Sequence, residues 1–198
     1  FIVTQSIKKL KAEDKEWALN PCGFKRVSDN KDVDITTLSD YDTGLYYKEE
    51  PYTPHTLHQR LIVTYSPKYA RYQKAIRDKQ VDRAKKMLDL GSVKKERKNP
   101  NDPARFIEKV AATTDGEVAK IHNYLDEEKI QNEALYDGLY AVSTDLLDDE
   151  VGDILKVSEG RWEIEECFRI MKTDFEARPI FLQNATRIKA HFLTCFIS

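Results

Sequence analysis

The chain has 198 residues, of which 40% are hydrophobic and 33% charged, and its formal net charge is −2. This composition predicts a packed domain with a heavily charged surface and excludes a chain that is disordered throughout. The three cysteines are far apart and form no CxxC pair, which argues against a zinc site and against a disulfide framework. No apolar stretch is long enough to span a bilayer, so we expect a protein of a reducing, cytoplasmic compartment with no membrane partner.

The first third of the chain is predicted to form strands and loops with one short helix. FIVTQSI, residues 1–7, alternates apolar and polar residues and is rich in β-branched side chains, which is typical of a strand. KAEDKEWAL, residues 11–19, predicts a short helix, and residues 21–55 predict loops with short strands. HQRLIVTYSP predicts a strand that ends at Pro67. Because the chain begins and ends in apolar runs, we expect it to be a fragment of a longer protein.

A strongly basic segment follows this strand. The residues from Lys68 to Gly91 predict a helix, and a connector rich in Pro and Asn comes after it. Residues 68–98 contain 12 Lys and Arg against 4 Asp and Glu. One interpretation is a phosphate-contacting arm; an equally weighted one is a solvated helix with ion pairs to Asp78 and Asp82. The candidate DNA contacts on the arm are Lys85, Lys86, Lys94 and Lys95.

Seven tyrosines lie in or near residues 41–72, and two interpretations of them stay open. The favoured one is that they form the core of a small β-rich subdomain with few Leu and Ile residues of its own. The other is that they stack on splayed bases beside the basic helix. The tyrosines are Tyr41, Tyr46, Tyr47, Tyr52, Tyr65, Tyr69 and Tyr72.

The second half of the chain is predicted to return to strands and then to end in helices. Residues 105–125 predict two strands around an Asp-Gly turn, and Asp126 is predicted to cap a short helix. A strand is predicted from Leu139 to Thr144, followed by one helix over 151–173 and a last helix from about Asn184.

SEGRWEIEECFRIMK, residues 158–172, has charges where the border of its buried face is expected. At roughly 100° per residue, Glu165 and Lys172 lie about 40° and 20° from Arg161, next to an apolar stripe of Ile164, Cys167 and Met171. On spacing alone, the favoured interpretation is an ordinary i,i+4 ion pair between Arg161 and Glu165.

The same residues resemble the signature helix of DDE-type insertion-sequence transposases, which is written Y-x2-R-x3-E-x6-K. Arg161, Glu165 and Lys172 match this pattern, whereas Ser158 replaces the tyrosine. Residues 125–146 and 178–198 resemble the segments before and after that helix in the same family. The resemblance covers residues 111–198 well and residues 1–7 plausibly.

The resemblance implies an α/β, ribonuclease H-like fold: a mixed sheet flanked by helices, incomplete at its N-terminus, with a β-rich and helical insertion. The implied segments are 1–34 and 111–198 for the ribonuclease H-like portion and 35–110 for the insertion. It implies an enzyme that cleaves and transfers DNA strands at the ends of an insertion sequence. The expected partners are transposon-end DNA and a second copy in a synaptic homodimer, in a bacterial-type cytoplasm near the nucleoid.

Carried over by position, Glu165 is the catalytic residue and the metal ligand, while Ser158, Arg161 and Lys172 contact DNA. The resemblance implies Mg²⁺ or Mn²⁺ as cofactor, bound only in the full-length protein, because both partner aspartates are expected upstream of Phe1. We therefore expect this fragment alone to be inactive. The alternatives are a non-catalytic DNA-binding or scaffold module and an inactive transposase relic.

Overall fold

The computed structural model describes residues 1–39, 41–54, 56–91, 101–112, 120–173 and 183–197. These residues divide into two compact units, one of Phe1 with Val3–Leu147 and one of Ile2 with Asp148–Ser198.

The first unit contains three helices and the described strands, except for Ile2, the first residue of β1. Its strands are β1 (Ile2–Gln5), β2 (Phe24–Arg26), β3 (Asp32–Val33), β4 (Tyr46–Tyr52), β5 (Gln59–Tyr65), β6 (Ile107–Ala112), β7 (Lys120–Leu125) and β8 (Leu139–Thr144). Its helices are α1 (Ala12–Leu19), α2 (Pro67–Asp89) and α3 (Glu127–Ala134). Short 3₁₀ turns occur at Ile7–Lys9, Ile35–Thr37 and Pro103–Phe106.

Six strands form one sheet in the order β1-β8-β5-β4-β2-β3, and β6 and β7 form a separate hairpin. The structure confirms a protein of helices and sheet. However, every described strand pair with a recorded register is antiparallel, and the mixed sheet that we expected does not occur among those pairs. The sheet takes strands from all three predicted segments, 1–34, 35–110 and 111–198. Those segment boundaries stay a prediction.

The sheet has a core on the side of α1. Phe24, Tyr46, Leu61, Val63 and Ala141 alternate inward from neighbouring strands, because side chains two residues apart share a face. Ala18 of α1 and the residues Ile7 and Leu10 complete this core. Of the seven tyrosines, Tyr46 and Tyr47 are buried and Tyr52 and Tyr65 are packed against the core, whereas Tyr41, Tyr69 and Tyr72 are exposed. The prediction of a tyrosine core is therefore confirmed for only part of the set.

Between β5 and β8 the chain leaves the sheet and forms a separate lobe. Tyr65 at the end of β5 is the register partner of Leu139 at the start of β8, so the chain departs and returns at adjacent residues. The lobe consists of α2, β6, β7 and α3, and its own core contains Ala84, Phe106 and Ile107.

Helix α2 begins and ends as the sequence predicts. The hydroxyl of Ser66 accepts a hydrogen bond from the backbone N–H of Tyr69, and Pro67 occupies the first helical position, where its missing N–H costs nothing. Gly91, just beyond the helix, has a φ of +59°, the left-handed conformation common after helix C-termini. The carboxylate of Asp126 caps α3, again as predicted.

The second unit contains three helices: α4 (Val151–Glu159), α5 (Arg161–Thr173) and α6 (Ala185–Ile197). In α4, the apolar residues Val151, Ile154 and Leu155 are buried at i, i+3 and i+4. The side chain of Asn184 caps α6 by accepting from the N–H groups of Thr186 and Arg187. None of the described helices is both long enough and apolar enough to cross a membrane.

Candidate functional site

The predicted signature helix is interrupted, and this corrects the prediction of one helix over 151–173. Helix α4 ends at Glu159, and Gly160 donates its N–H to the carbonyls of Lys156 and Ser158 before α5 begins at Arg161. Glycine disfavours a helix interior because fixing its backbone costs more entropy than fixing any other residue's. As a result, Ser158 lies on α4, while Arg161, Glu165 and Lys172 all lie on α5.

The backbone of α5 therefore carries the R-x3-E-x6-K motif without a break. Its 13 residues begin at Arg161 and end at Thr173, one residue beyond Lys172. Regular helical geometry places the three motif positions within about 40° of one another and spreads them over roughly 16 Å of axis. The side chains of Arg161 and Lys172 lie outside the described residues, so the structure supplies their helical positions only.

The Glu165 side chain is exposed and Ser158 is half-buried. Cys167, which we placed on an apolar, buried stripe, is also exposed, and so is Phe168. The expected buried stripe is therefore wrong at Cys167.

The next residue, Glu166, forms an ion pair within α5. Its carboxylate accepts from Arg169 at i,i+3, with 2.8 Å between Arg169 Nε and Glu166 Oε2, and from the terminal guanidinium nitrogen Nη2 as well. This guanidinium lowers the pKa of Glu166. Glu166 and Arg169 thus form an ion pair on the surface of α5. The pair that spacing predicts, between Arg161 and Glu165, stays a prediction, because the Arg161 side chain lies outside the described residues.

Glu165 suits a divalent cation as a single ligand. Hard oxygen ligands suit Mg²⁺, and an exposed glutamate on a helix supplies two such oxygens. In the described part of the chain, no group of three or more His, Cys, Asp or Glu residues is placed to hold a metal ion. Among those residues, Glu165 therefore fits a metal ion only as one ligand of a larger set.

The candidate DNA contacts on the basic arm are only partly described. Lys85 and Lys86 are exposed on α2, whereas Lys94 and Lys95 lie outside the described residues. Helical geometry separates Lys85 and Lys86 by roughly 100° around the axis, so they do not act on one surface. Lys86 belongs to a basic face of α2, and Lys85 lies beside Asp78 and Asp89.

Asp137 has a structural role. Its two carboxylate oxygens accept from the two terminal nitrogens of Arg77, at 2.5 and 2.6 Å, and both side chains are largely buried. This bidentate hydrogen bonding raises the pKa of Arg77. The pair attaches α2 to the turn before β8, as expected for a residue of structure rather than chemistry.

The adjacent Gly138 completes the same attachment. Its N–H donates to Gln73 Oε1 at 2.7 Å, and its carbonyl accepts from the N–H of Ser66 at 3.0 Å. Its φ is +78°, and a Cβ at this position would lie 2.8 Å from the Tyr65 ring. Only glycine fits a left-handed turn this close to another element.

Sequence reasoning missed a buried lysine, Lys48 on β4. Its side chain is 4% exposed, and its ammonium donates to the backbone carbonyls of Trp17 and Asn20 at the C-terminal end of α1. It also lies 4.7 Å from the centroids of the Trp17 and Phe24 rings. Burial lowers the pKa of Lys48 from its ordinary value of 10.5 to about 8. The one signal in the sequence is its position two residues from Tyr46, on the same inward face of β4.

Comparison of the chain with known protein families, with characterised proteins and with solved structures finds no match. The assignment of the α5 motif therefore depends on the residues themselves and on where the fold places them.

Proposed function

We propose that this chain is the C-terminal part of the catalytic domain of a DDE-type transposase. In this proposal, Glu165 is one of the metal-binding carboxylates of the full-length enzyme, which cleaves and transfers DNA strands at the ends of an insertion sequence. The observation that carries the proposal is the placement of the complete R-x3-E-x6-K motif on the single helix α5. The only helix break in this region falls at Gly160, immediately before the motif.

The ribonuclease H-like fold belongs to the same proposal. Strand β8 precedes the motif helix, as the resemblance implies, with the short helix α4 between them. In this proposal the first strands of the sheet are supplied by the part of the protein upstream of this chain. A sheet with missing strands has an unpaired border, which favours association with further strands of the same protein or of a second copy.

The roles of the motif residues follow from phosphodiester chemistry. Glu165 would hold a divalent cation, Mg²⁺ or Mn²⁺, which supplies charge stabilisation for the attacking and leaving oxygens of an in-line displacement. Arg161 and Lys172, about three turns apart along one face of α5, would bind phosphates beside the scissile bond. Ser158 would donate one hydrogen bond to a phosphate from α4, where it cannot stack as the family's tyrosine does. The proposed setting is a synaptic homodimer on transposon-end DNA in a bacterial-type cytoplasm.

The test uses the protein with its upstream segment restored and a labelled DNA end in the presence of Mg²⁺. Glu165→Ala is expected to abolish strand cleavage and to leave DNA binding within about twofold, because the cation rather than the DNA loses its ligand. Glu166→Ala is the matched control: it removes a carboxylate one residue away, on a different face of α5, and is expected to cleave like the unmodified protein.

Two results would contradict the proposal. One is cleavage by Glu165→Ala at the unmodified rate. The other is robust, metal-dependent nicking by the present 198-residue chain, because a single carboxylate cannot assemble a two-metal centre.

The charge on α2 supports a second candidate, a non-catalytic DNA-binding or scaffold module. In that case Glu165→Ala changes neither cleavage nor binding. Reversal of the charges at Lys85, Lys86, Lys94 and Lys95 then removes a salt-dependent part of the binding. The two candidates therefore differ in the response of the restored protein to one substitution.

A further inference from the structure

One face of α2 is continuously basic, and it differs from the set of lysines that sequence alone singles out. Taking Lys68 as zero, helical geometry places Lys79 at about 20°, Arg83 at about 60° and Lys86 at about 0°. All four side chains are exposed. They form a stripe roughly 27 Å long on one helix, which we call the basic stripe.

The basic stripe is free to bind an anionic partner. Among the described residues, no recorded ion pair includes Lys68, Lys79, Arg83 or Lys86. Two other arginines of the lobe differ, since Arg77 is paired with Asp137 and Arg105 with Glu133. The charge of the stripe is thus not used to hold the lobe together.

The start of α2 also departs from what helix stability favours. Helices α1, α3 and α4 have acidic residues in their first turns, which complement the positive end of the helix dipole. Helix α2 has no acidic residue there and has Lys68 instead. The charge of Lys68 and the helix dipole therefore add, and both favour an anion at this end of the stripe.

Aromatic rings lie within the stripe and on one side of it, because Tyr72 is at about 40° and Tyr69 at about 100° on the same scale. Tyr69 and Tyr72 are 41% and 61% exposed, and their rings are stacked with centroids 6.3 Å apart and planes 19° from parallel. They line an open cleft of about 320 Å³ together with Tyr136, whose ring lies 5.0 Å below the ammonium of Lys8. Exposed, pre-stacked rings next to unpaired cations are the combination that binds unpaired bases and their phosphates.

The other side of the stripe has no net positive charge. Asp78, Asp89 and Asp82 lie at about 280°, 300° and 320°, and all three are exposed. We call these three residues the acidic edge. They offset the charges of Lys74, Lys85 and Arg71, which lie at about 240°, 260° and 300°. A phosphate chain on the stripe gains no net attraction from this side, whereas the tyrosines on the other side offer stacking, so its bases turn to the tyrosine side. A duplex wide enough to cover both sides would place its second backbone against the acidic edge.

We propose that this face of α2 binds one unpaired nucleic-acid strand, with phosphates on the basic stripe and bases stacked on Tyr69 and Tyr72. The stripe is long enough to follow about eight phosphates at the 3.4 Å per-strand spacing of B-form DNA, or fewer in an extended strand. This binding does not depend on Glu165, and the present chain is sufficient to test it.

The experiment measures fluorescence anisotropy of a labelled 12-nucleotide oligo(dT) between 50 and 200 mM salt. The probe is compared with a 12-base-pair duplex and with an abasic oligomer of equal charge. We expect the single strand to bind more tightly than the duplex, and roughly tenfold more tightly than the abasic oligomer, because one stacked base is worth about a tenfold change in affinity. Tyr69→Leu/Tyr72→Leu is expected to remove the preference for oligo(dT) over the abasic strand.

The charge contribution is tested with two double variants that lose the same charge. Lys79→Gln/Lys86→Gln removes two stripe cations and is expected to lower the slope of log K against log salt by about 1.4, the value for two phosphates of a single strand. Lys74→Gln/Lys129→Gln removes two exposed cations outside the stripe, one on α2 and one on α3, and is expected to leave the slope unchanged. Far-ultraviolet circular dichroism confirms that each variant is folded.

Four results would overturn the proposal. They are a lack of binding by the unmodified chain, equal or tighter binding of the duplex, equal slope changes in the two lysine double variants, and an unchanged preference for bases in the tyrosine variant.

Discussion

Two ion pairs in this protein have similar geometry and different surroundings. Arg77 and Asp137 form a bidentate pair whose side chains are 10% and 17% exposed, and the partners lie 60 residues apart in the chain. Arg169 and Glu166 form a bidentate pair on α5 whose side chains are 58% and 41% exposed, three residues apart.

The contrast shows that contact distance alone does not indicate what an ion pair does. Water screens and competes for the α5 pair, so it adds little to the free energy of unfolding. The Arg77–Asp137 pair is removed from water, and loss of one partner leaves a buried charge without compensation. The buried pair thus fixes the position of α2 on the sheet, whereas the exposed pair supports α5 only locally.

The largest expected effect comes from breaking the buried pair. Asp137→Ala is expected to lower the free energy of unfolding by about 3–5 kcal/mol, because Arg77 stays charged and buried with no carboxylate partner. The measurement is urea unfolding followed by circular dichroism. Glu166→Ala, which breaks the exposed pair, is the control and is expected to cause no measurable change. Equal destabilisation by the two substitutions would show that burial does not decide how much the two ion pairs contribute to the free energy of unfolding.

A second substitution tests the same attachment without changing any charge. Gly138→Ala is expected to cost about 3 kcal/mol, because the new Cβ meets Tyr65, Ala70 and the carbonyl of Ser66 at 2.8–2.9 Å, in addition to the strain of a positive φ.

The matched control for this change is Gly23→Ala. Gly23 has a φ of +82°, close to the +78° of Gly138, and a Cβ there meets nothing within 4 Å. Its expected cost is the strain alone, about 1 kcal/mol. Equal unfolding midpoints for the two variants would show that the close contacts at Gly138 add no cost to the strain of a positive φ.

Lys48 extends the comparison of buried and exposed charges, because it is a buried cation that donates to carbonyl groups rather than to a carboxylate. Its folded-state pKa of about 8 is below the ordinary 10.5, so the unfolded chain binds more protons between these pH values. The free energy of unfolding should therefore rise as pH increases from 8 to 10.5, by at most about 3 kcal/mol.

The measurement is urea unfolding at several pH values for the unmodified chain and for Lys48→Met. The variant keeps the length and the apolar stem of the side chain but cannot be protonated, so it is expected to lack this increase. A parallel pH dependence in both proteins would assign the increase to other groups.

The sequence predicts the elements whose signals are local. The boundaries of β8 and the cap at Asp126 follow from alternation or capping chemistry within a few residues, and the start of α2, predicted at Lys68, is observed one residue earlier at Pro67. The position of the R-x3-E-x6-K motif on a helix is also readable from spacing, because α5 repeats with the period of a helix.

The sequence does not predict the features that join distant segments. The burial of Lys48 is compensated by carbonyls of α1, 28 and 31 residues earlier in the chain. The basic stripe of α2 could not be predicted by counting charges. The count over residues 68–98 does not distinguish the helix face that packs from the face that is exposed. The break at Gly160 was missed because one glycine costs a helix only about 1 kcal/mol, and the apolar pattern continues across it.

The lobe between β5 and β8 has a consequence for how this protein can vary. Because Tyr65 and Leu139 are register partners, β5 and β8 pair like the two strands of a hairpin, and the residues between them form its long connection. Residues can be added to or removed from the lobe without shifting the pairing of β5 with β8, since both ends stay next to each other. The lobe is thus free to change length and surface among related chains while the strand that leads to α4 and α5 keeps its place.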